Sequence, residues 1–207
     1  MLFYQAIDTA TLELLINLQQ RAPFKELRLV GGTSLALQYG HRKSIDIDLF
    51  GNLIADDITI AKELNSIGKT FILKKTPHIS IYTVNDIKVD LVNYPYPWIG
   101  DLIEVDGLSL ANDEDIAAMK LSAITGRGSK KDFIDLYFLL EKFSLSELLK
   151  FYSRKFHDGS EFLVLKSLIY FEDAEQYPPP SMLISLSWND VKKKIVLEHR
   201  KYLRTLK

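Results

Sequence analysis

Residues 42–50 read Arg42-Lys43-Ser44-Ile45-Asp46-Ile47-Asp48-Leu49-Phe50. Apolar Ile45, Ile47 and Leu49 alternate with the acids at 46 and 48, which is the period of a β-strand with one apolar face. The pattern constrains the fold. One side of the strand must lie against a core, and the other must display two carboxylates only a few Å apart. Like charges held on one rigid element repel. The face is therefore either well solvated or occupied by a cation. On these two acids alone a solvated strand face is the simpler explanation, so the neighbouring segments decide.

The flanking sequence alternates helical and strand patterns. Residues 8–20 carry a helical stripe at Leu12, Leu15, Ile16 and Leu18, with Asp8 as cap. Residues 27–30 form a short apolar run ended by Gly31-Gly32. A short helix is predicted over 33–39, the acidic strand over 44–50, and a helix from Asp56 or Asp57 to Ile67. Strands are predicted over 70–74, 79–84 and 87–92, the last two joined by Asn85-Asp86 in a tight hairpin. From about residue 110 onward the patterns are helical: to Ile124 from Asn112 or Asp113, then 130–143, to Phe156 from Ser144 or Ser146, 161–171, and a last helix opening at Ser187.

The chain has 207 residues, 47% hydrophobic and 26% charged, enough for one large or two small domains with a real core. The net charge of −1 gives no global pull toward nucleic acid or membrane, so any such contact belongs to a local patch. The lack of cysteine excludes disulfides, thiolate catalysis and a Cys-ligated zinc site. The N-terminus has neither a basic n-region nor a long apolar run, and the expected location is the cytoplasm, without membrane association.

Three segments suggest chemistry. Gly31-Gly32-Thr33-Ser34 falls at a strand-to-helix junction, where glycines allow close backbone approach and helix N–H groups favour an anion such as phosphate. Taken alone, a Gly-Gly pair is more often a turn. Asp46 and Asp48 form the second piece. Asp90, in Ile87-Lys88-Val89-Asp90-Leu91-Val92, is the third, on the face opposite Ile87, Val89 and Leu91. If its strand pairs beside the first, three carboxylates make an all-oxygen site suited to Mg²⁺ or Mn²⁺. A phosphate seat beside such a site suits phosphoryl or nucleotidyl transfer. Ser44, two residues before Asp46, is expected on the same face.

In this order, Gly-Gly-Thr-Ser, Arg42-x-Ser44-x-Asp46-x-Asp48-Leu-Phe and Lys88-Val89-Asp90 resemble the minimal nucleotidyltransferase fold of the DNA polymerase β superfamily. The spelling is similar to that of the AbiEii/AbiGii toxin branch. Ile116-Ala117-Ala118-Met119-Lys120-Leu121, continuing to Arg127, resembles its lysine-bearing helix. Lys131-Asp132-Phe133-Ile134-Asp135-Leu136-Tyr137 resembles its D-x-x-D helix. The resemblance spans residues 28–141. It implies an α+β fold in which a small mixed sheet with flanking helices, residues 1–105, is followed by a helical domain, residues 106–207, that completes the active site.

The resemblance further implies a transferase that moves an NMP from an NTP to an acceptor, with RNA such as tRNA expected, as a toxin with a cognate antitoxin protein. It makes Asp46, Asp48 and Asp90 the metal ligands, with Asp90 also a candidate base. Gly31, Gly32, Thr33, Ser44 and Lys120 become nucleotide contacts. Arg42 reads equally as a phosphate partner or a solvated loop charge. Asp132 and Asp135 share a helix face and either hold Lys120, Arg127 or Lys131 in place or meet substrate. The alternative, a catalytically inactive module of the same fold that binds nucleotide or a partner, is disfavoured by the presence of all three carboxylates.

Other features read as structural. His41, His78, His157 and His199 lack ligand spacing. Tyr94-Pro95-Tyr96-Pro97-Trp98 reads as a packed crossover more than a base-stacking site. The C-terminal cations Lys192, Lys193, Lys194, Arg200, Lys201, Arg204 and Lys207 read as a solvated helix face, with an RNA-tracking strip as the competing view.

Overall fold

The computed structural model describes residues 1–206. The chain falls into two compact units, one of residues 1–95 and 101–111, the other of residues 96–100 and 112 onward.

The first unit is a seven-stranded mixed sheet with three helices. Its elements are α1 (Thr9–Gln19), β1 (Arg28–Leu29), α2 (Gly31–Tyr39), β2 (Ile47–Gly51), α3 (Asp57–Ile67), β3 (Thr70–Lys75), β4 (Ile79–Val84), β5 (Ile87–Asn93), β6 (Ile103–Val105) and β7 (Leu108–Leu110). The strand order is β3-β4-β5-β2-β1-β7-β6. β2 is thus interior, antiparallel to β1 and parallel to β5. Local chemistry sets the boundaries. The Asp8 carboxylate accepts the Thr11 amide at 2.7 Å to start α1, and Asp56 accepts that of Thr59 at 2.7 Å to start α3. Gly40 ends α2 in the left-handed region at φ 64°. Asn85 and Asp86, with φ of 49° and 65°, form the predicted tight β4–β5 turn. The alternating residues Ile47, Leu49, Tyr82, Val84, Val89 and Leu91 bury their side chains with Leu14, Leu15 and Leu18 of α1 and Ile60 and Leu64 of α3.

Three expectations are corrected here. The acidic strand begins at Ile47, not Ser44, because the chain before it bonds elsewhere: the Ser44 amide donates to the Ala6 carbonyl at 2.9 Å, and the Asp46 carbonyl accepts the Thr33 hydroxyl. The short helix begins at Gly31 rather than Thr33. The β6–β7 hairpin was not anticipated, although its turn, Asp106-Gly107 with φ of 54° and 79°, is a standard signal.

The second unit is helical: α4 (Asp113–Gly126), α5 (Lys130–Lys142), α6 (Leu145–Lys155), α7 (Glu161–Leu168), α8 (Glu172–Glu175) and α9 (Trp188–Thr205). α4 packs against α5, α6 and α7 through buried Ile116, Ala117, Ala118 and Leu121. Ser144 and Glu147 form a reciprocal capping box at the start of α6. The helix expected over 161–171 stops at Leu168, and Phe171 turns in against Phe133, ring centroids 5.1 Å apart, and Trp188, 6.0 Å. A fully buried ion pair, Lys155 Nζ to Asp115 Oδ1 at 2.6 Å, ties α6 to α4. Asp115 also accepts the Ile99 and Gly100 amides at 3.1 Å, while Lys155 donates to the Pro97 carbonyl at 2.9 Å and lies 4.5 Å from the Trp98 ring centroid. Trp98 is half-buried against this pair, while Pro95, Tyr96 and Pro97 of the same run are exposed, so the segment is only partly packed.

Candidate active site

The site belongs to the first unit and is built around the start of β2. Asp48 and Asp90 are register partners on the parallel strands β2 and β5, so their side chains leave the same face of the sheet one strand spacing apart, about 4.8 Å. Asp46 lies one residue before β2, in a segment tied down by Thr33. The Thr33 hydroxyl bonds the Asp46 carbonyl and is paired with the Ser44 hydroxyl at 2.8 Å. Thr33 and Ser44 thus hold the approach to Asp46 with their side chains, which leaves the Thr33 main chain to α2.

α2 opens directly beside this pair. Gly31 has φ 69°, and a Cβ there would collide with Asp48 Oδ2. The helix start therefore touches the carboxylate only because residue 31 has no side chain. No side chain caps α2. Its first N–H groups lie beyond the reach of the helix's own hydrogen-bond ladder and present the positive end of the helix dipole. Arg42 is 3% exposed, and its guanidinium lies where a Cβ on Gly32 would fall. Arg42 is thus a buried cation at a helix N-terminus, not a solvated loop charge, and it donates to the Lys43 carbonyl at 2.9 Å.

Lys88, to which no role had been assigned, belongs to this group. Its Nζ is 2.6 Å from Asp90 Oδ1. Burial works against its charge, but Asp90 first, then Asp48 and Asp46, hold its pKa above the ordinary lysine value. The signal was present in the sequence: the period of two in Lys88-Val89-Asp90 puts the ammonium on the carboxylate's own face. Lys88 is a cation already standing among the acids. Asp90 Oδ1 is thus taken up by the Lys88 ammonium, and a cation arriving at Asp90 has to share or displace that contact. The donors are all oxygen, as a hard divalent ion requires. Among the described residues no three acidic or histidine side chains converge closely enough to hold a metal ion, so the three expected ligands are not gathered as a set. Asp48 and Asp90 are the adjacent pair, and Asp46 precedes the strand.

The other candidate residues lie in the second unit. Lys120, on α4 and 4% exposed, pairs with Asp135 at 2.5 Å and Asp132 at 3.1 Å. Arg127 meets Asp132 with two hydrogen bonds, 2.9 and 3.0 Å, and the Ser129 hydroxyl donates to it at 2.5 Å. Burial would raise the Asp132 pKa, but Lys120, Arg127 and Ser129 more than reverse this and hold it well below the carboxylate range. Of the roles open to Asp132 and Asp135, the geometry displays the holding of Lys120, joined at Asp132 by Arg127. Lys131 lies on the exposed side of α5.

The fold and sequence have known counterparts. An uncharacterised Aquifex aeolicus protein is 37% identical over 154 residues, covering 72% of this chain and 75% of its own. MenT4, a nucleotidyltransferase toxin of Mycobacterium tuberculosis, superposes with a TM-score of 0.63 at 15% identity over 92% of this chain and 80% of that one. JHP933 of Helicobacter pylori superposes with a TM-score of 0.53 at 21% identity over 99% and 96%. These likenesses establish the nucleotidyltransferase-like fold. A family model, the nucleotidyl transferase AbiEii toxin of type IV toxin–antitoxin systems, matches residues 13–205, so nearly the whole chain is covered and the protein belongs to the AbiEii family of nucleotidyltransferases.

Proposed function

We propose that the enzyme transfers a nucleoside monophosphate from an NTP to a hydroxyl of an RNA acceptor, releasing pyrophosphate, and that it acts in the cytoplasm as a toxin countered by an antitoxin protein. The observation that carries this reading is the register of Asp48 with Asp90 beside the side-chain-free helix start at Gly31. The α2 amides and Arg42 would seat the triphosphate. Asp46, Asp48 and Asp90 would hold Mg²⁺ or Mn²⁺, which when bound would screen the triphosphate and polarise the α-phosphorus. Lys88 would keep the carboxylates close before substrate arrives, and Asp90 would take the proton of the attacking hydroxyl. Thr33 and Ser44 would fix the height of Asp46 above the sheet. For Lys120 the resemblance implies a triphosphate contact. To make it, the ammonium would have to loosen its grip on Asp132 or Asp135.

The test is a labelling screen. Purified protein, each of the four α-labelled NTPs, Mg²⁺ or Mn²⁺ and total RNA should give labelled RNA with at least one nucleotide. Asp46→Ala and Asp90→Ala should each lower the rate by roughly a thousandfold or more, the scale seen when preorganised electrostatics is lost, and should remove toxicity on expression. Folded wild type that labels neither RNA nor protein with any NTP would sink the proposal.

A further inference from the structure

The face of the sheet that carries the acids does not end at β5. Register runs across three further positions: Asp48 faces Asp90, Asp90 faces Ile81 of β4, and Ile81 faces Lys74 of the edge strand β3. The next row runs from Lys88 through Thr83 to Phe71. Register partners leave a sheet on the same side. Although three residues apart, Phe71 and Lys74 share the face of Asp90 because the β3 register shifts between Ile72 and Lys74, and Lys74 is two strand spacings away, about 10 Å.

β3 is nearly all exposed. Phe71 is 50% exposed, and Lys69 lies over its ring, 4.9 Å from the centroid. Lys69 and Lys74 are both exposed, and Lys74 makes no ion pair among the described residues. A half-exposed aromatic ring with an ammonium over it and a second cation nearby is a combination that takes a base by stacking, once Lys69 swings aside, and its phosphates by charge. The acidic centre repels phosphate, so an acceptor strand must be drawn in by cations outside it. We infer that the outer face of β3 and β4, through Phe71, Lys74 and Lys69, is the docking surface for a single-stranded RNA end that leads toward Asp90.

This rests on the transferase reading above, and the two can fail separately. Full-length protein is titrated into a fluorescein-labelled single-stranded 12-mer RNA and followed by anisotropy at 50 and 200 mM salt. The wild type should bind and weaken with salt. Phe71→Ala and Lys74→Glu should each weaken binding about tenfold, within the range for loss of one stacked base, and Lys74→Glu should flatten the salt dependence. Both variants should melt as the wild type does and keep its Mn²⁺-NTP affinity by calorimetry. Wild type that does not bind the RNA, or variants that bind it and are labelled as well as wild type, overturn the inference. So does a wild-type dimer that Phe71→Ala dissociates without loss of RNA binding, since the face would then join two copies. RNA that binds in a Phe71-dependent way without being labelled by any NTP leaves the docking surface standing and removes the transferase reading.

Discussion

Glycine at position 31 is fixed by two independent constraints. Its φ of 69° costs an L-residue about 1 kcal/mol or more, and the space a side chain would fill belongs to Asp48 Oδ2. Gly31→Ala must therefore strain the backbone, displace a carboxylate, or both. We expect it to lower stability by about 1–3 kcal/mol and to cut NMP transfer far more than the stability loss explains. Denaturant titration alongside transfer rates, measured where the variant is fully folded, checks this. A variant that transfers at the wild-type rate would show that the Asp48 position is not critical. Asp46 teaches a related point. The alternation Ile45-Asp46-Ile47-Asp48 places both acids on one strand face in the sequence, but the strand begins only at Ile47. The hydrogen bond from the Thr33 hydroxyl, itself paired with Ser44, helps decide where Asp46 stands, and periodicity carries no information about it.

At the scale of elements, two buried charge clusters hold the helical unit together. Asp132 joins the end of α4 to the start of α5 through Lys120, Arg127 and Ser129. Removing one partner of a buried pair leaves an uncompensated charge, and Asp132→Asn should cost about 3 kcal/mol at pH 7. The sign of its pH dependence follows from a folded pKa held below the unfolded one. The contribution is complete above about pH 5, where an unfolded Asp is almost fully ionised. It is lost as pH falls from there toward the folded value. The stability gap between wild type and Asp132→Asn should therefore shrink between pH 5 and pH 2, measurable by urea unfolding at each pH. A gap that is constant or grows with acid would contradict the assignment.

The second cluster, Asp115 with Lys155, is wholly buried and fixes the segment 97–100 to α4 and α6. Asp115→Asn and Lys155→Met alone should each cost about 3–5 kcal/mol, and the double variant should cost less than the sum because no lone charge remains. Thermal or denaturant melts of the four proteins form the cycle. Strict additivity would mean that the pair is not coupled. Neither residue stood out in the sequence. Asp115 looked like an ordinary acid in a helix's first turn and Lys155 like an ordinary cation in a last turn, both placements the helix dipole favours.

Across the whole molecule, the near-zero net charge gave no global hint of an RNA partner, and the C-terminal helix was the most basic stretch on view. In the fold half of its described cations are paired: Lys192 closes on Glu175 at 2.8 Å, Lys194 on Glu141 at 2.7 Å and Lys201 on Glu198 at 2.7 Å, while Lys193, Arg200 and Arg204 are exposed and Lys207 lies outside the described residues. Exposed Lys74 of β3 shares instead the sheet face of Asp90, while Lys75 is on the other face and pairs with Asp57. Among the described residues no helix is long and apolar enough to cross a membrane.

The sequence by itself determined most of the helices and strands, though not the β6–β7 hairpin, together with the Asn85-Asp86 turn and which face of each strand Asp48, Lys88 and Asp90 occupy. Those are local properties, set by side-chain period and backbone chemistry within a few residues. Only the tertiary structure decided that β2 and β5 are neighbours in the register that brings Asp48 to Asp90, that Arg42 folds against Gly32, and that Lys120 divides its charge between Asp132 and Asp135. Pairing between distant segments is chosen by how the whole apolar surface is buried at once, and no single segment encodes that choice.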